Sequence, residues 1–266
     1  MARILAVTNQ KGGVGKTTTA VNLSACLAAL GQRVLMIDLD PQGNATTGCG
    51  VIKREALPTV YQILIGRSTL ADARIHTEFG FDILPANREL AGAEVELIDI
   101  AGREFRLRDA LAPVVADYDF ILMDCPPALN MLTVNGLAAA QAVMIPMQCE
   151  YYALEGLTDL VATLKKVRAK LNPRLEIEGL LRTMFDPRST LTQQVSNELV
   201  GHFGDKVYRT IIPRNVRLAE APSYGKPVIA FDRLSRGALA YGALAQELLD
   251  RRDGALAEAG EEGVNA

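Results

Sequence analysis

Lys11-Gly12-Gly13-Val14-Gly15-Lys16-Thr17-Thr18 is the stretch that decides the fold. An apolar run of strand length, residues 4–7 (Ile-Leu-Ala-Val), comes before it. After it, Ala20, Leu23, Leu27 and Leu30 recur at helical spacing until Gly31 stops the pattern. A second apolar run, residues 34–37, follows. Strand, glycine loop, helix, strand is a βαβ unit, which requires parallel pairing and a right-handed crossover. The glycines let the backbone turn tightly enough for successive N–H groups to converge on phosphate oxygens, and the helix N-terminus adds partial positive charge. In such a loop Lys16 reaches the β- and γ-phosphates and the Thr17 hydroxyl ligates Mg²⁺.

Further strands are expected at residues 81–84, 120–123, 142–145, 177–181 and 207–212. Helices are expected at about 154–171, 191–203 and 236–251. Strands this apolar are covered on both faces. The expected fold is therefore α/β, a doubly wound, mainly parallel sheet with helices on each side. A chain of 266 residues, 49% hydrophobic and 22% charged, fits one large domain, expected here at 1–252. Residues 253–266 carry four acids and no base, and are expected to form a solvated, frayed tail.

The formal net charge of −3 excludes a globally basic nucleic-acid binder. Between residues 182 and 236, however, nine basic and five acidic residues give +4, leaving −7 for the rest of the chain. Four scattered cysteines without a CxxC, and only two histidines, argue against a disulfide framework or a zinc site. No run approaches the roughly 18 apolar residues of a membrane span, nor does the chain open on a signal peptide, so a cytoplasmic location is expected.

Two strand ends carry carboxylates. Asp38-Leu39-Asp40-Pro41-Gln42-Gly43-Asn44 follows the second strand, and carboxylates there fall in the ligand crevice of a doubly wound sheet. Asp124 ends the run at 120–123 and precedes Cys125-Pro126-Pro127, the arrangement of a Walker-B aspartate holding Mg²⁺.

One departure makes the loop specific. The general phosphate-loop pattern has glycine where this chain has Gln10, and a second lysine, Lys11, opens the loop. In this the sequence resembles the deviant Walker-A P-loop ATPases, the group of ParA/Soj partition proteins, MinD and the nitrogenase iron protein. The resemblance implies that Lys11 reaches across a dimer interface to the partner's ATP. It also implies that Asp40, in switch I, positions the attacking water, while Asp38 supports Mg²⁺ or the loop. Residues 212–223 and Gln42-Gly43-Asn44-Ala45-Thr46 resemble chromosomal ParA/Soj proteins in particular. There the region of Pro213 and Asn215 lines the adenine, and arginines matching Arg188 and Arg217 contact DNA.

The implied activity is Mg²⁺-dependent ATP hydrolysis by a homodimer that forms with ATP. That dimer binds double-stranded DNA of the nucleoid non-specifically, and a ParB-type centromere-binding protein stimulates it. A MinD-like protein would need a basic amphipathic C-terminal helix, whereas this chain ends in acids, so no membrane partner is expected. A MinD-like positioning ATPase acting on a membrane and an orphan ParA-like ATPase positioning a protein cargo are the other readings.

Overall fold

The computed structural model describes residues 2–264, with side chains described for 2–254. Eight strands form one sheet: β1 (Arg3–Val7), β2 (Val34–Asp38), β3 (Ile75–His76), β4 (Asp82–Leu84), β5 (Phe120–Asp124), β6 (Ala142–Gln148), β7 (Glu176–Phe185) and β8 (Val207–Pro213). Their order is β3-β4-β2-β5-β1-β6-β7-β8. Every pairing is parallel except that of the two-residue edge strand β3 with β4. The expected doubly wound sheet is present, and β3 is the strand that the sequence reading lacks.

Alternation along the strands divides the core between the two faces, because successive side chains point to opposite sides of the pleat. Ile4, Ala6, Leu35, Ile37, Ile121 and Met123 face one layer. That layer contains α3 (Val60–Leu64), α5 (Leu90–Glu96), α6 (Arg106–Leu111), α7 (Met131–Ala139), α8 (Ala153–Lys170) and α9 (Thr190–Phe203). Leu5, Val7, Met36, Phe120 and Leu122 face the other. There α1 (Lys16–Ala29) packs beside α12 (Arg236–Val264). The short helices α2 (Asn44–Gly48), α4 (Leu70–Ala73), α10 (Val216–Glu220) and α11 (Val228–Phe231) fill the connections.

The backbone of α12 runs past its expected end at Arg251 to Val264. Alanine and glutamate, both strong helix formers, recur in that extension, alongside three glycines that are not. Whether its side chains are solvated, as the sequence leads one to expect, lies outside the described residues.

What matters for function is register. Val7 pairs with Asp124, and Asp124 with Asp38, so the ends of β1, β5 and β2 form one row. The glycine loop leaves β1 at that row, between its two flanking strands β5 and β6.

Candidate nucleotide site

The loop between β1 and α1 is held at both shoulders. Asn9, buried, donates from Nδ2 to the Pro146 carbonyl at 2.8 Å and accepts the Lys11 N–H at Oδ1 at 3.0 Å. Thr183, on β7, donates from Oγ1 to the Val14 carbonyl at 2.8 Å. Gly13 and Gly15 have φ of 72° and 90°, the left-handed region that favours glycine. Gly15 is the N-cap of α1 and offers no side chain, so the first N–H groups of the helix are left for a ligand. Nothing lies within 4 Å of where a Cβ would stand on Gly12 or Gly13. The cradle is formed and open.

Lys16 is buried at 7% exposure, and its Nζ donates to the Lys11 carbonyl at 2.9 Å. Burial lowers its pKa, against the opposing charges of Asp124 and Asp40. Thr17 and Thr18 are half-buried in the first turn of α1. Lys11 lies at the rim, its Nζ 2.6 Å from Glu150 Oε2, in an ion pair about half exposed on each side.

Asp124 is 1% exposed, and among the described residues neither of its carboxylate oxygens has a hydrogen-bonding partner. Burial pushes its pKa well above the ordinary value, and the negative charges of Asp38 and Asp40 push the same way. The nearby Thr17 hydroxyl and Lys16 ammonium oppose that shift without closing a hydrogen bond of good geometry. A buried carboxylate left bare is costly, and a hard divalent cation is the partner it lacks. Asp124 and Thr17 are thus fit to hold Mg²⁺ beside a nucleotide's phosphates, where the ion would neutralise phosphate charge.

Asp38, its neighbour in the row, is satisfied. It accepts the Thr46 N–H at 2.8 Å and the Thr46 hydroxyl at 2.7 Å on Oδ2, and the Asp40 N–H at 3.1 Å on Oδ1. Of the two roles expected for it, loop support is therefore the one with visible contacts. Asp40 is half-buried, and its Oδ1 accepts the Gln42 N–H at 2.9 Å.

Pro213 ends β8 at the same edge of the sheet, paired with Phe185. Asn215 caps α10, its Oδ1 accepting the Leu218 N–H at 3.4 Å, a local task that the sequence reading did not include. Arg188 and Arg217 are at the surface, and both are engaged. Arg188 binds Asp186 at 2.9 Å, and Arg217 binds Glu220 at 2.8 Å and Asp232 at 3.2 Å. Arg182 corrects the expected cationic zone. It is 8% exposed and donates to Ser196 and to the Tyr208 and Arg209 carbonyls, so it braces β7 and β8 and cannot meet a phosphate.

Sequence reasoning also missed Asn9, Thr183 and Glu150. Only proximity in the fold brings them to the loop, although a polar residue at a strand's C-terminal end is a signal available in sequence. All four cysteines are free and buried, as expected. Among the described residues no helix is long and apolar enough to cross a membrane.

Comparison with known proteins agrees with this geometry. Residues 2–177 match the family model described as AAA domain. The chromosome partitioning protein ParA of Caulobacter vibrioides is 53% identical over 252 residues, 94% of this chain and 94% of that protein. The sporulation initiation inhibitor protein Soj of Bacillus subtilis is 54% identical over 249 residues, 93% of this chain and 98% of that protein. Among solved structures, cobyrinic acid a,c-diamide synthase from Mycobacterium smegmatis with bound ATP analog and magnesium superposes with a TM-score of 0.84. It shows 38% identity and covers 95% of this chain and 96% of that one. With a formed phosphate cradle, a bare carboxylate beside it and this identity along nearly its whole length, the chain belongs to the ParA/Soj family of chromosome-partitioning ATPases, which use ATP with Mg²⁺.

Proposed function

We propose that the chain is a DNA-segregation ATPase whose ATP-bound homodimer holds double-stranded DNA without regard to sequence, and that hydrolysis, stimulated by a ParB-type partner, releases it. Residues 11–18 bind the phosphates, with Lys16 as the buried cation. Thr17 and Asp124 hold Mg²⁺, Asp40 positions the attacking water, and Pro213 and Asn215 border the adenine. The working unit is the single domain 1–252, located at the nucleoid in the cytoplasm.

The observation that carries the dimer reading is the contrast between the two lysines of the loop. Lys16 is buried against its own site, whereas Lys11 reaches away from it to Glu150 at the rim. A half-exposed ion pair contributes little and is readily exchanged. Lys11 is therefore free to re-pair with the phosphates of a facing subunit, where a phosphoryl transition state gains from an added cation. Bringing two subunits together also doubles the cationic surface presented to one duplex by Arg188, Arg217 and their exposed neighbours Arg214, Arg233 and Arg236.

The test is retention of the purified protein on an arbitrary duplex at fixed salt, with ATP against ADP. Retention with ATP alone is expected, increased in an Asp40→Ala variant that keeps its nucleotide. Equal retention in both nucleotide states overturns the reading.

A further inference from the structure

Asp40 is half-buried, and its side chain holds only a neighbouring backbone N–H of its own turn. Nothing in that turn fixes where it stands relative to the phosphate loop. What fixes it is buried beneath. The Asp40 N–H is tied to Asp38, and Asp38 is tied to Thr46, which is fully buried. The Thr46 hydroxyl also accepts the Ala86 N–H at 2.9 Å.

The proton on that hydroxyl has one possible direction. A backbone N–H can only donate and an ionised carboxylate can only accept, so Oγ1 receives from Ala86 and gives to Asp38. Two arms thus converge on the Asp38 carboxylate: Ala86 donates to Thr46 and Thr46 to Oδ2, while the Asp40 N–H donates to Oδ1, which links the residues just after β4 to the backbone of Asp40. Gly43 adds a second contact between the same two segments. With φ +61°, it approaches so closely that a Cβ there would lie 2.7 Å from the Ala86 carbonyl.

We propose that Thr46 is a positioning residue for ATP hydrolysis: its hydroxyl, shared between the Asp38 carboxylate and the Ala86 amide, locks the 40–46 segment onto the end of β4 and so sets the place of Asp40. This rests on the assignment of Asp40 to the attacking water. Thr46 makes no hydrogen bond to residues 11–18, so the lock acts on the hydrolytic step and leaves the grip on the phosphates alone. Without the hydroxyl, Asp38 loses one of its three donors and the buried Ala86 N–H loses its acceptor. The segment then relaxes, and a displacement on the order of 1 Å at a positioning group costs about 100-fold in rate.

The experiment is steady-state and single-turnover ATP hydrolysis by the full chain, as parent, Thr46→Val, Thr46→Ser and Asp40→Asn, with ADP affinity by calorimetry and thermal melts of each. Thr46→Val is expected to lower kcat by about 10- to 100-fold. Its ADP affinity and KM should stay within about twofold, which a merely structural defect in the domain would not spare. Thr46→Ser, which keeps the hydroxyl, is expected to restore kcat to within about threefold. A Thr46→Val enzyme with parental kcat, or one whose ADP affinity falls as far as its kcat, overturns the proposal. Should Thr46→Val lose its cooperative melt, Thr46→Ser decides: retained turnover supports the lock, and a loss of tenfold or more overturns it. Asp40→Asn separates the two claims, because parental turnover there defeats the assignment of Asp40 and not the lock.

Discussion

The row of carboxylates at the sheet edge and the arginines of the outer surface treat charge in opposite ways. Asp124 is buried and has no partner among the described residues, while Arg188 and Arg217 are exposed and have carboxylate partners in full. A charge that is buried and bare is held there by the surrounding fold, at a cost that only a ligand removes. A charge that is exposed and paired gains little from its partner and can change partners freely. The two regions therefore differ in kind: on the proposed function, one is a site prepared for a particular ion and phosphate, the other a surface that trades one anion for another. Specificity belongs to the first and reversibility to the second.

The largest effect should come from Lys16→Ala. It removes the buried ammonium at the loop, so ATP affinity should fall by on the order of 100-fold or more, measured by calorimetry. Retained affinity would place the phosphates elsewhere. Asp124→Asn tests the claim that the site costs stability. A carboxyl whose folded pKa is raised destabilises the fold in full above that folded pKa, and the penalty shrinks as pH falls through it and is gone only below the unfolded pKa. The nucleotide-free protein should therefore gain stability as pH falls from the raised pKa of Asp124 toward that of an ordinary carboxyl. Asp124→Asn should melt higher at neutral pH, by about 1–3 kcal/mol, and lose that part of the pH dependence. It should also lose Mg²⁺-dependent turnover, and a lower melting temperature would contradict the account.

The smallest effect should come from the surface. Arg217→Ala should leave the melting temperature and nucleotide affinity unchanged. It should weaken retention alike on every duplex sequence, and the slope of log K against log salt should fall by about 0.9, the share of a single phosphate. If Arg217→Ala lost ATP binding instead, the arginine would belong to the nucleotide pocket and the DNA surface would lie elsewhere.

Seven of the eight strands, all but β3, were legible from apolar runs alone, since a parallel strand covered on both faces carries an almost unbroken signal. Helices α1, α8, α9 and most of α12 were legible too. The helices between β2 and β5 were not, because α2 to α6 have at most seven residues each, too few turns for a period to emerge. α7 escaped for the opposite reason. It is buried on nearly all sides, and its Asn135, which bonds the Leu107 N–H and the Arg103 carbonyl, breaks the apolar pattern from within. In the candidate site, the loop, Asp40 and Asp124 stood out by residue type and position. Asn9, Thr183 and Thr46 did not, because an ordinary polar side chain declares its work only through its partner. Arg182 shows the converse: counted as surface charge from sequence, it is a strut inside the fold.

The shoulders of the phosphate loop, Asn9 on one side and Thr183 on the other, have a consequence for timing. A cradle already shaped before its ligand arrives loses little further freedom when the ligand enters, because that ordering was completed when the chain folded. The hydrogen bonds of Asn9 and Thr183 thus spare a bound polyphosphate part of that ordering cost. On the proposed function, telling a fresh nucleotide from a spent one, and with it the clock of the cycle, falls to what meets the terminal phosphate: Lys16, the 40–46 segment of the same subunit and the surface of the next.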